Sequence, residues 1–209
     1  MRPLLLRQMR RLQRQLEQFY GLERAPSVRD YTRLGAANTR EQLLVKESQQ
    51  GIYLAVVFPE DQIPAEPLQP NDNWTQLIEA VSHYLFISER ARIELPTTQL
   101  ELELQAEIDK FVVLRPTLTR ADRDASPSAP GAQRDDERSL VDLHRWLYED
   151  VRFLHACESE AGARYRLANR LAARYVNRLL RLDPLGWQRR LRAFYRVGQT
   201  EKIAIALAA

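Results

Sequence analysis

Glu103 and Glu107 stand one helical turn apart in the stretch TQLELELQAEIDKFVVL, with Lys110 three residues further on. Paired carboxylates at that spacing aim their oxygens at one point, as in helix-bundle metal sites and acid–base pairs. The carboxylate-bridged dimetal pattern also needs a His three residues after a Glu, and neither has one, so the expected role is ion pairing with no metal and no cofactor bound. Asp150 is the third acid to watch. On a helix over 138–158 it projects towards Leu143, Leu147 and Leu154, where an unpaired carboxylate is costly and calls for a partner such as Arg170.

The cations that could answer these acids lie in RYRLANRLAARYVNRLLRL, residues 164–182. At a turn of about 100° per residue, Arg166, Arg170, Arg174, Arg178 and Arg181 share a wedge of roughly 120°. Tyr165, Ala168, Ala172, Val176 and Leu179 collect opposite. Arg189 and Arg190 extend the basic character into the next amphipathic stretch. A guanidinium row of this kind takes carboxylates of its own chain, carboxylates of a partner, or phosphates.

Other constellations are sparse. Of the three histidines, His83, His144 and His155, the last two are eleven residues apart, about 16 Å along one helix, too far to share a metal ion. Cys157 is two residues from His155 and points elsewhere on a helix. No zinc spacing, nucleophile elbow or phosphate-cradling glycine loop is present, and seven glycines leave little room for one. Arg138-x5-His144 resembles the Arg-x(4–6)-His signature of the HEPN superfamily of all-helical ribonucleases, over seven residues. That resemblance implies RNA cleavage across a dimer interface, with Arg138 and His144 as the catalytic pair.

Composition narrows the setting. With 209 residues, 44% apolar, the chain can bury a proper core. A single cysteine excludes an internal disulfide and fits a reducing cytoplasm. The opening MRPLLLRQMRR is too short in apolar residues for a secretory signal, and no run approaches a membrane span. Net charge is +3, unevenly spread: +4 over 1–24, −8 over 25–137 and +7 over 138–209.

Stepping along the chain, Leu5, Met9, Leu12, Leu16 and Phe19 make a seam with alternating spacings of four and three, predicting a helix over 4–20 flanked by Arg2, Arg7, Arg10, Arg11 and Arg14. A short helix, 28–34, capped by Ser27 and closed by Gly35, follows. QLLVKES and GIYLAVVF predict a β-hairpin over about 42–58, and four prolines in 59–72 an irregular loop. Asp72 or Asn73 caps a helix over 74–92, and another starts at Thr97 or Thr98. Residues 116–136, rich in Pro, Ser, Ala and alternating charge, predict a disordered loop. Helices over 138–158, 159–182, 185–196 and 200–207 complete the chain.

The fold class expected is therefore mainly α: six to eight helices in a single domain, one β-hairpin, and a flexible linker between an acidic part, 25–115, and a basic helical part, 138–209. Since no ionisable residues converge in a catalytic spacing, the expected role is a non-catalytic adaptor or structural subunit of a bacterial multiprotein assembly. It would bind a protein partner through Arg166, Arg170, Arg174, Arg178, Arg181, Arg189 and Arg190, with Glu103, Glu107 and Asp150 in structural ion pairs. The segments 1–20 and 186–196, the latter with Trp187 and Phe194, are the expected contact surfaces. The alternative is nucleic-acid binding on the Arg166–Arg196 face, with Tyr165, Tyr175, Trp187, Phe194 and Tyr195 for base stacking.

Overall fold

The computed structural model describes residues 2–23, 25–49, 51–65, 68–125 and 132–208. They form two compact units, Met1–Thr98 and Gln99–Ala209. The division falls in the turn after Arg92, whereas composition places the break in the chain at 116–136.

In the first unit, α1 (Arg2–Tyr20) packs its seam against α3 (Asp72–Arg92). Leu5, Met9, Leu12 and Leu16 are buried as the spacing requires. Tyr20 completes the seam in place of Phe19, which is half-buried and meets the Tyr20 ring edge-on. Gln13 fixes the return of the chain: its amide donates to Glu17 (2.8 Å) and to the Pro26 carbonyl (3.0 Å), and its oxygen accepts from Val28 N (2.9 Å). The Asn71 carboxamide, one residue ahead of the expected caps, accepts from Trp74 N to start α3.

The hairpin forms as expected from β2 (Gln42–Ser48) and β3 (Gly51–Pro59), antiparallel with Leu44 opposite Ala55 and Val45 opposite Leu54. A third strand joins it. The short helix α2 (Val28–Tyr31) stops before Thr32–Gly35, expected as its continuation and close, which is instead β1, parallel to β3 in the order β1-β3-β2. Two strands alone are marginal, so β3 gains stability by being central. Its alternate residues Val56 and Phe58 are fully buried.

The second unit is helical: α4 (Gln99–Ala125), α5 (Ala132–Tyr148), α6 (Glu160–Leu179), α7 (Pro184–Arg196) and α8 (Gln199–Leu207). Helix α4 is its axis, touching α5, α6 and α8, and it buries Leu104, Ile108 and Phe111 as well as Ala106 and Val113 on the other side. Both ends of the stretch expected as a loop, 116–125 and 132–136, lie in α4 and α5; residues 126–131 are outside the described residues. The helix expected over 138–158 ends ten residues early, at Tyr148, and 149–159 cross back to α6 without regular structure.

A buried cation joins the last helix to α4. Lys202 is 0% exposed, and its ammonium donates to the Gln105 side-chain oxygen (2.8 Å) while lying 4.4 Å from the centre of the Phe194 ring. The Gln105 amide in turn donates to Asp109 (2.9 Å). A buried charge persists only where such partners replace water. Lys202→Met leaves the Gln105 oxygen without this donor and is expected to lower unfolding free energy by about 1–3 kcal/mol, read from urea denaturation.

Candidate functional site

Helix α6 carries the arginine face. Ser159 caps it, its hydroxyl oxygen accepting from Gly162 N at 3.0 Å, and its high Ala and Leu content favours the helix. Ala168, Leu171, Ala172, Tyr175, Val176 and Leu179 are buried, so the opposite wedge is turned outward as the projection predicts. At Gly162 the returning 149–159 segment passes so closely that a Cβ would collide with the Ala156 carbonyl oxygen.

The seven arginines singled out from sequence fall into two groups. Arg166 and Arg178 are used internally. The Arg166 guanidinium donates to the His155 carbonyl (3.1 Å) and lies over the Phe153 ring, pinning the 149–159 segment to α6. Arg178 donates to the Ile205 carbonyl, one of the last carbonyls of α8. Arg170, Arg174, Arg181, Arg189 and Arg190 are exposed, and none forms a salt bridge among the described residues. Beside them lie two exposed leucines, Leu182 and Leu185, the latter 70% exposed.

The acids expected to neutralise this face do not do so. Glu107 pairs within its own helix with Lys110 at 2.8 Å. Glu103 is buried on the same helix, and no α6 arginine makes an ion pair with either among the described residues. Asp150 is a correction: because α5 ends at Tyr148, the residue sits in an exposed turn and forms no ion pair among the described residues, and Leu154, expected inside, is 69% exposed.

His144 is placed as a structural residue. Its Nε2 hydrogen-bonds the Ala173 carbonyl (3.0 Å), its Nδ1 lies 3.5 Å from a Glu149 carboxylate oxygen, and its ring meets Tyr148 edge-on. The Nε2 contact ties the ring to the backbone of α6. The side chain of Arg138 is outside the described residues. Tyr148 is itself fixed, donating to the Glu107 carbonyl at 2.9 Å, with burial first and the nearby Glu107 and Asp109 charges next holding its phenol well above the usual range.

The aromatic side chains expected for stacking are occupied. Tyr175, Phe194 and Tyr195 are buried, the first two stacked at 4.4 Å. Trp187 carries the Arg115 guanidinium at 4.2 Å, and Tyr165 is stacked on His155. Phe194 thus belongs to the core and not to a contact surface, which corrects the reading of 186–196.

A second basic surface lies in the first unit. Arg2, Arg7, Arg10, Arg11 and Arg14 of α1, with Arg29 of α2, border an open groove of about 730 Å³ whose other lining residues are Pro3, Leu6, Gln15 and Gln18. Among the described residues no carboxylate lines it. The seam spacing that buries α1 on one side is what places these arginines together on the other.

No protein-family model, no curated protein and no solved structure matches the chain.

Two changes test how the face is held. Gly162→Ala is expected to cost about 1–3 kcal/mol by forcing the 149–159 segment off α6, seen as a lower melting temperature. Asp183 caps α7, accepting from Leu185 N and Gly186 N, and the Gly186 N–H first, then Leu185 and the charge of Arg189, hold its carboxyl below the ordinary 3.8. A lowered folded-state pKa means stability that is complete above the unfolded value and lost as pH falls through the folded one. Asp183→Ala should therefore be less stable than wild type near neutral pH, with the gap in urea midpoints closing as pH is lowered through the folded-state pKa of Asp183.

Proposed function

We propose that the chain is a non-catalytic adaptor or structural subunit that docks an acidic face of a protein partner on the α6–α7 arginines. The observation that carries this reading is the exposed set Arg170, Arg174, Arg181, Arg189 and Arg190 without salt bridges among the described residues, next to the exposed Leu182 and Leu185. Arginines mixed with apolar anchors and depleted of lysine suit the core of a protein–protein interface. Base stacking is poorly served there, because the nearby rings are buried or covered. A bacterial multiprotein assembly in the cytoplasm is the setting that goes with this reading; among the described residues no helix is long and apolar enough to cross a membrane.

The open edge of β2 supports a polypeptide partner as well. Leu44, Val45, Ile52 and Tyr53 at the hairpin end are 42–52% exposed, and β2 is an edge strand of the sheet, a surface that accepts an added strand. A second reading, nucleic-acid binding, draws on a different surface: the arginine groove of α1, with no carboxylate in its lining among the described residues, fits a phosphate backbone.

Affinity purification of the full chain from its own host separates the two. The adaptor reading expects a partner at fixed stoichiometry that is lost from Arg170→Glu/Arg174→Glu and retained by Arg10→Glu/Arg14→Glu. A strictly solitary protein, or a partner retained by the first variant, argues against it. Nucleic-acid binding instead expects fluorescence anisotropy with labelled RNA or DNA to show affinity falling steeply with salt and abolished by the α1 variant.

A further inference from the structure

The basic groove of the first unit is bordered almost wholly by α1. Arg7, Arg10, Arg11 and Arg14 recur at steps of three and four residues, so they share one face of the helix. With Arg2 they span about 18 Å along its axis, and Arg29 adds a guanidinium from α2. All six side chains are exposed, and Arg2, Arg10, Arg11, Arg14 and Arg29 form no ion pair among the described residues. Spread over that length, a groove of about 730 Å³ has a cross-section of about 40 Å². One extended chain fits such a channel, whereas the major groove of a duplex alone is about 12 Å across.

We propose that this groove binds inorganic polyphosphate, a linear phosphoanhydride chain with a negative charge on every unit and no bases. Guanidinium forks take phosphate oxygens two at a time, and the Gln15 carboxamide adds neutral donors beside them. Other anions match the lining less well. A single strand carrying bases gains affinity by stacking them on rings, and no aromatic side chain borders the groove among the described residues. An acidic protein face seats arginines around apolar anchors, of which Pro3 and Leu6 are the only ones among the described lining residues. A lipid surface needs the apolar side of an amphipathic helix, and in α1 that side, Leu5, Met9, Leu12 and Leu16, is already buried within the unit. The proposal rests on the second reading above, that the groove takes phosphate, and narrows its ligand. The adaptor reading stands on α6 and α7 and is independent of it.

The test is isothermal titration calorimetry of the full chain with long-chain polyphosphate, poly(U) RNA and polyglutamate at matched charge. Polyphosphate is expected to bind at least about tenfold tighter than either other polymer, with affinity falling steeply as salt rises. Arg10→Gln/Arg14→Gln is expected to weaken it by at least about tenfold with circular dichroism unchanged, and Arg189→Gln/Arg190→Gln to leave it at the wild-type value. RNA bound as tightly as polyphosphate overturns the proposal, and the nucleic-acid reading then stands if the α1 variant abolishes that binding. Polyglutamate bound as tightly also overturns it. Neither phosphate polymer binding at low salt overturns both readings of the groove. Polyphosphate binding that the α1 variant retains, or that the α7 variant loses, puts the site elsewhere and overturns the proposal. Hydrogen exchange of the wild-type protein decides the matter even if the variants fail to fold: protection by polyphosphate over 2–18 supports the site, and protection confined to 164–196, or none, overturns it.

Discussion

Burial of the Lys202 ammonium is the constraint around which the second unit is organised. Removing a charge from water costs several kcal/mol unless fixed dipoles replace the solvent. Here the Gln105 oxygen supplies one dipole and the Phe194 face another, so α8 has to lie where both can be reached. Gln105 is held in turn by its bond to Asp109. Phe194 stacks on Tyr175, whose hydroxyl donates to the Arg190 carbonyl at 3.0 Å. Position is thereby passed from α8 through α7 to α6, and the Tyr175 side of α6 is committed to the core. The arginines face outward because their opposite wedge has nowhere else to go.

Much of this was legible because helical periodicity is local. The seam of α1, the two-sided burial of α4 and the split between the arginine and apolar sides of α6 all follow from side chains three and four residues apart. The β2–β3 hairpin was readable for the same reason, since its strands are joined by a short turn. Strand β1 was not. Thr32–Gly35 pairs in parallel with Val56–Pro59 across more than twenty residues of chain, and a four-residue strand has too short a pattern to announce a distant partner. The early end of α5 was missed because Phe153 and Leu154 continue a helical apolar spacing that the structure does not use: Leu154 is exposed, and Phe153 serves as a platform for Arg166.

The charged residues were legible by position and not by partner. Projection placed Arg166 and Arg178 in the same wedge as Arg170 and Arg174, yet the first two satisfy backbone carbonyls and the others meet solvent. The difference is depth and height along the helix. Arg166 lies beside the returning 149–159 segment and Arg178 beside the end of α8, so each finds a carbonyl within reach of its fork. Glu107 likewise pairs with a cation on its own helix, Lys110, because side chains three residues apart on a helix are already neighbours.

The two kinds of exposed surface have one chemistry in common. The β2 edge offers main-chain donors and acceptors beside apolar side chains, which a nucleic acid has no groups to match in register but an extended polypeptide does. Lys46 opposite Tyr53 and Glu47 opposite Ile52 put charge at the turn end of the hairpin, and such charges discourage indiscriminate edge-to-edge pairing while leaving room for a complementary strand. On α6 and α7, guanidiniums flanking Leu182 and Leu185 match carboxylates set around an apolar contact, again an arrangement that side chains of a folded protein provide and a phosphate backbone does not. On the adaptor reading proposed above, a polypeptide partner would answer both surfaces with groups it ordinarily possesses, whereas a nucleic acid would satisfy the arginines and leave the exposed leucines and the strand edge in water.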